Sequence, residues 1–82
     1  MKRYFFHISY GDEFPDREGT SLPDLKSARR NAMELLGRML VDESDSFWDK
    51  PNILVTVADA DGLVLWTVET IGLASTAVGK RA

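Results

Sequence analysis

The chain contains no cysteine. No disulfide braces it, and thiolate zinc sites and cysteine nucleophiles are excluded. Histidine occurs once, as His7, so it has no His or Cys partner for a metal. No apolar run approaches the ~20 residues that a membrane span requires. The opening, Met1-Lys2-Arg3 followed by Tyr4-Phe5-Phe6-His7-Ile8, is too short and too polar for a signal h-region, and no small-residue cleavage site follows it. A cytoplasmic location is the expectation. A basic excess is missing as well. Ten Lys and Arg stand against 13 Asp and Glu, for a net charge of −3. That argues against a nucleic-acid backbone as partner, because phosphate binding needs clustered cations. Lys2/Arg3, Lys26/Arg29/Arg30 and Lys80/Arg81 are short basic groups with acidic neighbours, and they read as solvated surface.

What is present fits one domain over residues 1–82, with an ordered core over 3–70 and a weakly patterned tail over 71–82. A chain of 82 residues buries a modest share of its surface. Without cysteines, the remaining common route to extra burial is self-association. No internal repeat or low-complexity tract divides the chain.

The first segment, residues 3–10, is aromatic-rich and reads as a strand. Its alternation puts Tyr4, Phe6, Ile8 and Tyr10 on one face and Phe5, His7 and Ser9 on the other. The continuous apolar set is the expected core face. A weaker second strand, at Phe14 or over residues 19–21, completes a hairpin, and Pro15 marks it as irregular or at an edge.

The helix is the clearest element. Leu25, Ala28, Ala32, Leu35, Leu36, Met39 and Leu40 form one stripe of 3.6-residue period. Ser21 with Asp24 three residues later suggests a capping box, with Pro23 in the first turn. Gly37 sits mid-helix at a cost of about 1 kcal/mol, and a close backbone approach is the expected reason. The helix is expected to fade near Asp42.

Two β-branched runs, residues 53–58 and 63–70, flank Asp59-Ala60-Asp61-Gly62 and predict a hairpin. Ile53, Val55 and Val57 share one face of the first strand. Val64, Trp66 and Val68 share one face of the second, with Leu54, Leu63 and Leu65 opposite. A bulge at the turn would change which sets meet, so the register stays open. In any register the hairpin is apolar on both faces, and one helix covers only one of them. The predicted fold is α+β, ββαββ, a short antiparallel sheet with one amphipathic helix on one face. In the tail, Ile71, Leu73 and Val78 suggest a short docked turn, and residues 79–82 are expected to be mobile.

No residue pattern specifies a reaction, a ligand or a cofactor. His7 reads as a partly exposed strand residue or as a ligand contact. Asp59-x-Asp61-Gly62 has its glycine at the wrong place for a calcium loop and reads as a turn. The acidic groups Asp12/Glu13/Asp16/Glu18 and Asp42/Glu43/Asp45/Asp49 read as solvated loops. Phe47-Trp48 is a binding hot spot if exposed, and a lid if tucked over the end of the core, the favoured reading.

Tyr4-Phe5-Phe6-His7, Gly11, Asp16-x-Glu18-Gly19-Thr20-x-Leu22-Pro23-Asp24-Leu25, Ala28-Arg29 and Val57-x-Asp59-x-x-Gly62 together resemble a family of small bacterial proteins of rhizobia and related alphaproteobacteria. That family is a domain of unknown function. The resemblance runs over about residues 4–68 and departs after Thr67. It implies a compact ββαββ domain in a bacterial cytosol and implies no activity. The strand–strand–helix start with Leu22-Pro23-Asp24-Leu25 also looks like HicB-type antitoxin domains, an analogy of fold only.

The expected function is a non-enzymatic binding module that self-associates as a homodimer. Its candidate interface residues are Leu54, Leu63, Leu65, Phe47 and Trp48, with His7 as a candidate ligand contact. The alternative is a small antitoxin-like regulator that holds a basic protein partner, which the acidic charge would suit.

Overall fold

A computed structural model describes residues 1–81. Strands β1 (Lys2–Tyr10), β2 (Asp12–Phe14) and β3 (Thr20–Leu22) precede helix α1 (Leu25–Asp42). A 3-10 turn (Ser46–Asp49), strands β4 (Asn52–Ala58) and β5 (Val64–Ile71) and one helical turn, α2 (Val78–Arg81), follow. The strands form a five-stranded antiparallel sheet in the order β2-β1-β4-β5, with β3 also paired to β1. This is the α+β, ββαββ arrangement read from the sequence, with its second strand in two pieces. Phe14 and residues 19–21 are not alternatives, because both regions pair with β1. Ala82 lies outside the described residues, and with it the last position of the segment expected to be mobile.

The helix begins three residues later than the capping box implied. Ser21 belongs to β3, and Pro23 precedes the cap. Asp24 is the N-cap, and its Oδ1 accepts the Ser27 N–H at 2.8 Å. That bond holds the Asp24 carboxyl below the usual carboxylate range. At the far end the Glu43 N–H donates to the Met39 carbonyl at 2.8 Å, and α1 stops at Asp42 as expected.

The helical stripe packs on the central strands from Ala28 onward, but Leu25, in the first turn before the helix reaches the core, is exposed. Ala28, Ala32 and Leu36 are buried against Ile53, Val55 and Val57, with Tyr4, Phe6 and Phe47 completing the core. The two alanines have no bulk beyond Cβ, so the helix settles close to β4. Full burial of side chains the size of Ile53, Val55 and Val57 contributes about 1.5–3 kcal/mol each.

The hairpin register is settled by a bulge between Val57 and Ala58. Val55 pairs with Val68 and Val57 with Trp66, so these four face the helix. Asp59 Oδ1 accepts the Asp61 and Leu63 N–H groups at 2.9 and 3.0 Å, and Gly62 supplies φ +83°. The bulge overturns the expected opposite face of the last strand. Leu65 packs against the core, whereas Val64 is exposed.

The tail corrects another expectation. Ile71, Leu73 and Val78 are all exposed, so none of them docks. Gly72 docks instead. Its N–H donates to the Pro51 carbonyl at 2.9 Å, and a Cβ there would stand 2.7 Å from the Phe47 and Trp48 rings. Gly72 is a close-approach glycine, and Gly37 is not, since nothing lies within 4 Å of a Cβ built on it. Gly37→Ala is therefore expected to raise stability by about 1 kcal/mol in urea unfolding. An unchanged or lower midpoint would contradict this account of the helix.

Candidate functional site

Directly paired residues of antiparallel strands point to the same side of a sheet. Phe5 pairs with Ala58, His7 with Thr56 and Ser9 with Leu54. Across the next ladder Leu54 pairs with Glu69, Thr56 with Thr67 and Asn52 with Ile71. These residues make up the face away from α1. Phe5, His7, Leu54 and Thr56 are half-buried there, and Asn52, Thr67, Glu69 and Ile71 are exposed. The Phe5 and His7 rings stack at 6.4 Å. Asn52 Nδ2 donates to Glu69 Oε2 at 2.8 Å, and Ser9 Oγ donates to Glu13 Oε1 at 3.0 Å. The face is a band of mixed chemistry, with Phe5, Leu54, Ala58, Val64 and Ile71 among its apolar members.

Its boundary along β1 is made by residues 15–19. Between the Ile8–Phe14 and Tyr4–Thr20 pairs, β1 advances through residues 5–7 while the facing chain takes residues 15–19. The longer path bows away from β1 and would leave the Phe6 amide without a ladder partner. Asp16 replaces that partner. Its Oδ2 accepts the Phe6 N–H at 3.1 Å, and its Oδ1 accepts the Gly19 and Glu18 N–H groups at 3.0 and 3.2 Å. Gly19 turns the chain back at φ +73°. The Asp16 N–H in turn donates to His7 Nδ1 at 3.0 Å.

His7 is thus brought beside a carboxylate-bearing residue, as acid–base work would need, but through a backbone bond that occupies one of its two ring nitrogens. The bond requires Nδ1 without a proton and leaves Nε2 as the free side of the ring. Burial works to raise the Asp16 carboxyl. The donations from Gly19, Phe6 and Glu18 outweigh it, so its pKa lies below the usual carboxylate value. The sequence reading placed Asp16 in a solvated acidic cluster and missed this role. The signal was Pro15-Asp16 three residues before Gly19, the pattern of an Asp that folds back on its own loop.

The other candidates are scattered. Phe47 is buried at 6% exposure and acts as the lid, but Trp48 is 57% exposed beside it, with the two rings edge to face at 5.4 Å. Leu54 lies on the open face. Leu63 is exposed in the hairpin turn, and Leu65 belongs to the core side. A shallow cavity at the turn end of the sheet is lined by residues that include Lys2, Arg3, Tyr4, Asp59, Asp61 and Leu65, and His7 is not among them. Among the described residues, no group of three or more His, Cys, Asp or Glu side chains is placed to hold a metal ion. No described helix is long and apolar enough to cross a membrane.

Compared with known families, residues 3–72 match the family model of a domain of unknown function, DUF6894. The chain belongs to this family. Comparison with curated proteins and with solved structures finds no match. The DUF6894 match begins in β1 and ends at Gly72, the residue seated against Phe47 and Trp48. It therefore takes in the whole sheet, the helix and the Asp16 loop, and leaves α2 outside. The family description assigns no chemistry, so a functional reading has to come from the surfaces.

The Asp16 bonds predict an acid-sensitive loop. A depressed folded pKa adds stability that is complete above the unfolded value of about 3.9 and disappears as pH falls through the lower folded value. Asp16→Ala is expected to cost about 1–3 kcal/mol at neutral pH, through the unpaired Phe6 amide. Urea unfolding from pH 7 to pH 2 should show that gap narrowing only below about pH 4. A gap independent of pH would contradict the carboxylate's role.

Proposed function

We propose that this domain is a non-enzymatic interaction module that works as a homodimer and presents the open face of its sheet to a partner. The observation that carries the reading is that face itself. Phe5, Leu54 and Ile71 stay partly or fully accessible, while α1 packs on the opposite side. Apolar surface left in water around a small core is the ordinary mark of a contact site. A chain of 82 residues without cysteine gains stability from such a contact. The bond to His7 Nδ1 supports a structural place for the only imidazole rather than a catalytic one. The resemblance to the rhizobial proteins supports a bacterial, cytoplasmic setting.

A second reading, a small antitoxin-like regulator of a basic protein, draws on one further observation. Exposed Trp48 stands in a stretch with Asp42, Glu43, Asp45 and Asp49, an aromatic anchor with carboxylates close in sequence that would suit a cationic surface. An adjacent short basic open reading frame would favour this reading over the first.

Light scattering at micromolar concentration tests the main proposal. The expected mass is twice the 9.2 kDa of the chain. An apolar dye should bind the open face, and Leu54→Asp should abolish its fluorescence while the dimer and the fold persist. A monomer that binds no dye would contradict the proposal.

A further inference from the structure

The two edges of the sheet are built differently. Along β1 the outer partners are two three-residue strands, and Asp16 covers the gap between them. The other edge, β5, is eight residues long, with no proline or glycine and a single charge, Glu69. Natural sheets usually blunt such an edge with a lysine, a proline or a covering loop.

The direction of its free groups follows from the register. The Phe6 N–H points to Asp16 and so away from β4. Strand alternation then turns the backbone groups of Phe5, His7 and Ser9 toward β4, and those of Ile53, Val55 and Val57 toward β5. Their partners Thr70, Val68 and Trp66 point inward, so Thr67 and Glu69 point out. The Gly72 donation to Pro51, two residues beyond Thr70, agrees with this phase. Among the described residues, no backbone bond outside the β4 ladder reaches residues 66–70. Glu69 does not guard the edge either, because its carboxylate leans back to Asn52 on β4.

We infer that β5 is the seam of the homodimer, pairing antiparallel with β5 of a second copy about a two-fold axis at Val68. This deepens the self-associating module proposed above and rests on it. Side-chain chemistry selects the axis. Centred on Glu69, the pairing would set two carboxylates face to face. Centred on Thr67, it would run Glu69 into the irregular stretch at Leu65. Centred on Val68, it pairs Val68 with itself and Trp66 with Thr70 on the helix side. On the open side it pairs Thr67 with Glu69, twice per dimer, through the outward backbone groups. An isologous contact of this kind closes on itself and leaves no further edge of the same type. It joins the two open faces into one continuous surface, so a partner meets twice the apolar area of one chain.

The test uses the full chain and reads the dimer dissociation constant by sedimentation, with circular dichroism as the check on folding. T67E places a carboxylate opposite Glu69 at two symmetric positions and should weaken the dimer about tenfold. T67K places an ammonium there and should tighten it by about the same factor. Thr67 is exposed, and opposite effects from one position do not arise from misfolding. A dimeric wild type whose dissociation constant is indifferent to both changes would overturn the β5 seam and keep the self-associating module. So would Leu54→Asp dissociating the dimer while both Thr67 variants leave it intact. A wild type that stays monomeric up to high micromolar concentration would overturn both.

Discussion

The contact of Ala28, Ala32 and Leu36 with Ile53, Val55 and Val57 holds the domain together. It also sets the limits of the domain. A helix is about 10 Å across, and a sheet four strands wide spans about 14 Å between its outer strands. The helix therefore sits over the middle of the sheet and leaves one whole face and one flank of β5 without cover. On that flank the Arg29 guanidinium lies 5.7 Å from the centre of the Trp66 ring, shielding part of the indole. Trp66 and Val68 stay only half-buried, where Val55 and Val57 are fully buried. The gradient of burial from β4 to β5 is the physical origin of the uncovered flank.

The Asp16 loop belongs to the same arrangement. One carboxylate accepts three backbone amides and closes the β1 edge at the point where two extra residues would have opened it. His7 is drawn into the closure from the strand side. A buried or half-buried amide without a partner costs more than an ordinary hydrogen bond contributes, so the closure is worth a charged residue and the chain's only imidazole. Among the described residues, no comparable device guards β5. The asymmetry leaves one edge of the sheet open and keeps the other shut.

Much of the fold was legible in the sequence because periodicity reports burial. The stripe from Ala28 to Leu40 and the alternation of Tyr4, Phe6 and Ile8 both describe faces that the structure buries or half-buries, while Leu25, at the head of the expected stripe, stays exposed. The failures were all local and geometric. Asp24 took the cap from Ser21 because Ser21 was already committed to pairing with Arg3 in β3. Leu65 moved to the core side because one bulge after Val57 changed the phase of everything beyond it. Phe47 and Trp48, adjacent in sequence, divided into one buried and one exposed ring, and no composition argument separates them. The role of Asp16 was hidden among other acids, since its partner Phe6 lies ten residues away.

Amide hydrogen exchange, followed residue by residue as protein concentration rises, tests the unequal edges most directly. The Phe6 amide, held by Asp16, and the Val68 amide, turned toward β4, should be protected at every concentration. The Thr67 and Glu69 amides should exchange freely in dilute protein and become protected as the dimer forms. Free exchange at Thr67 and Glu69 in a sample that is fully dimeric would contradict the account.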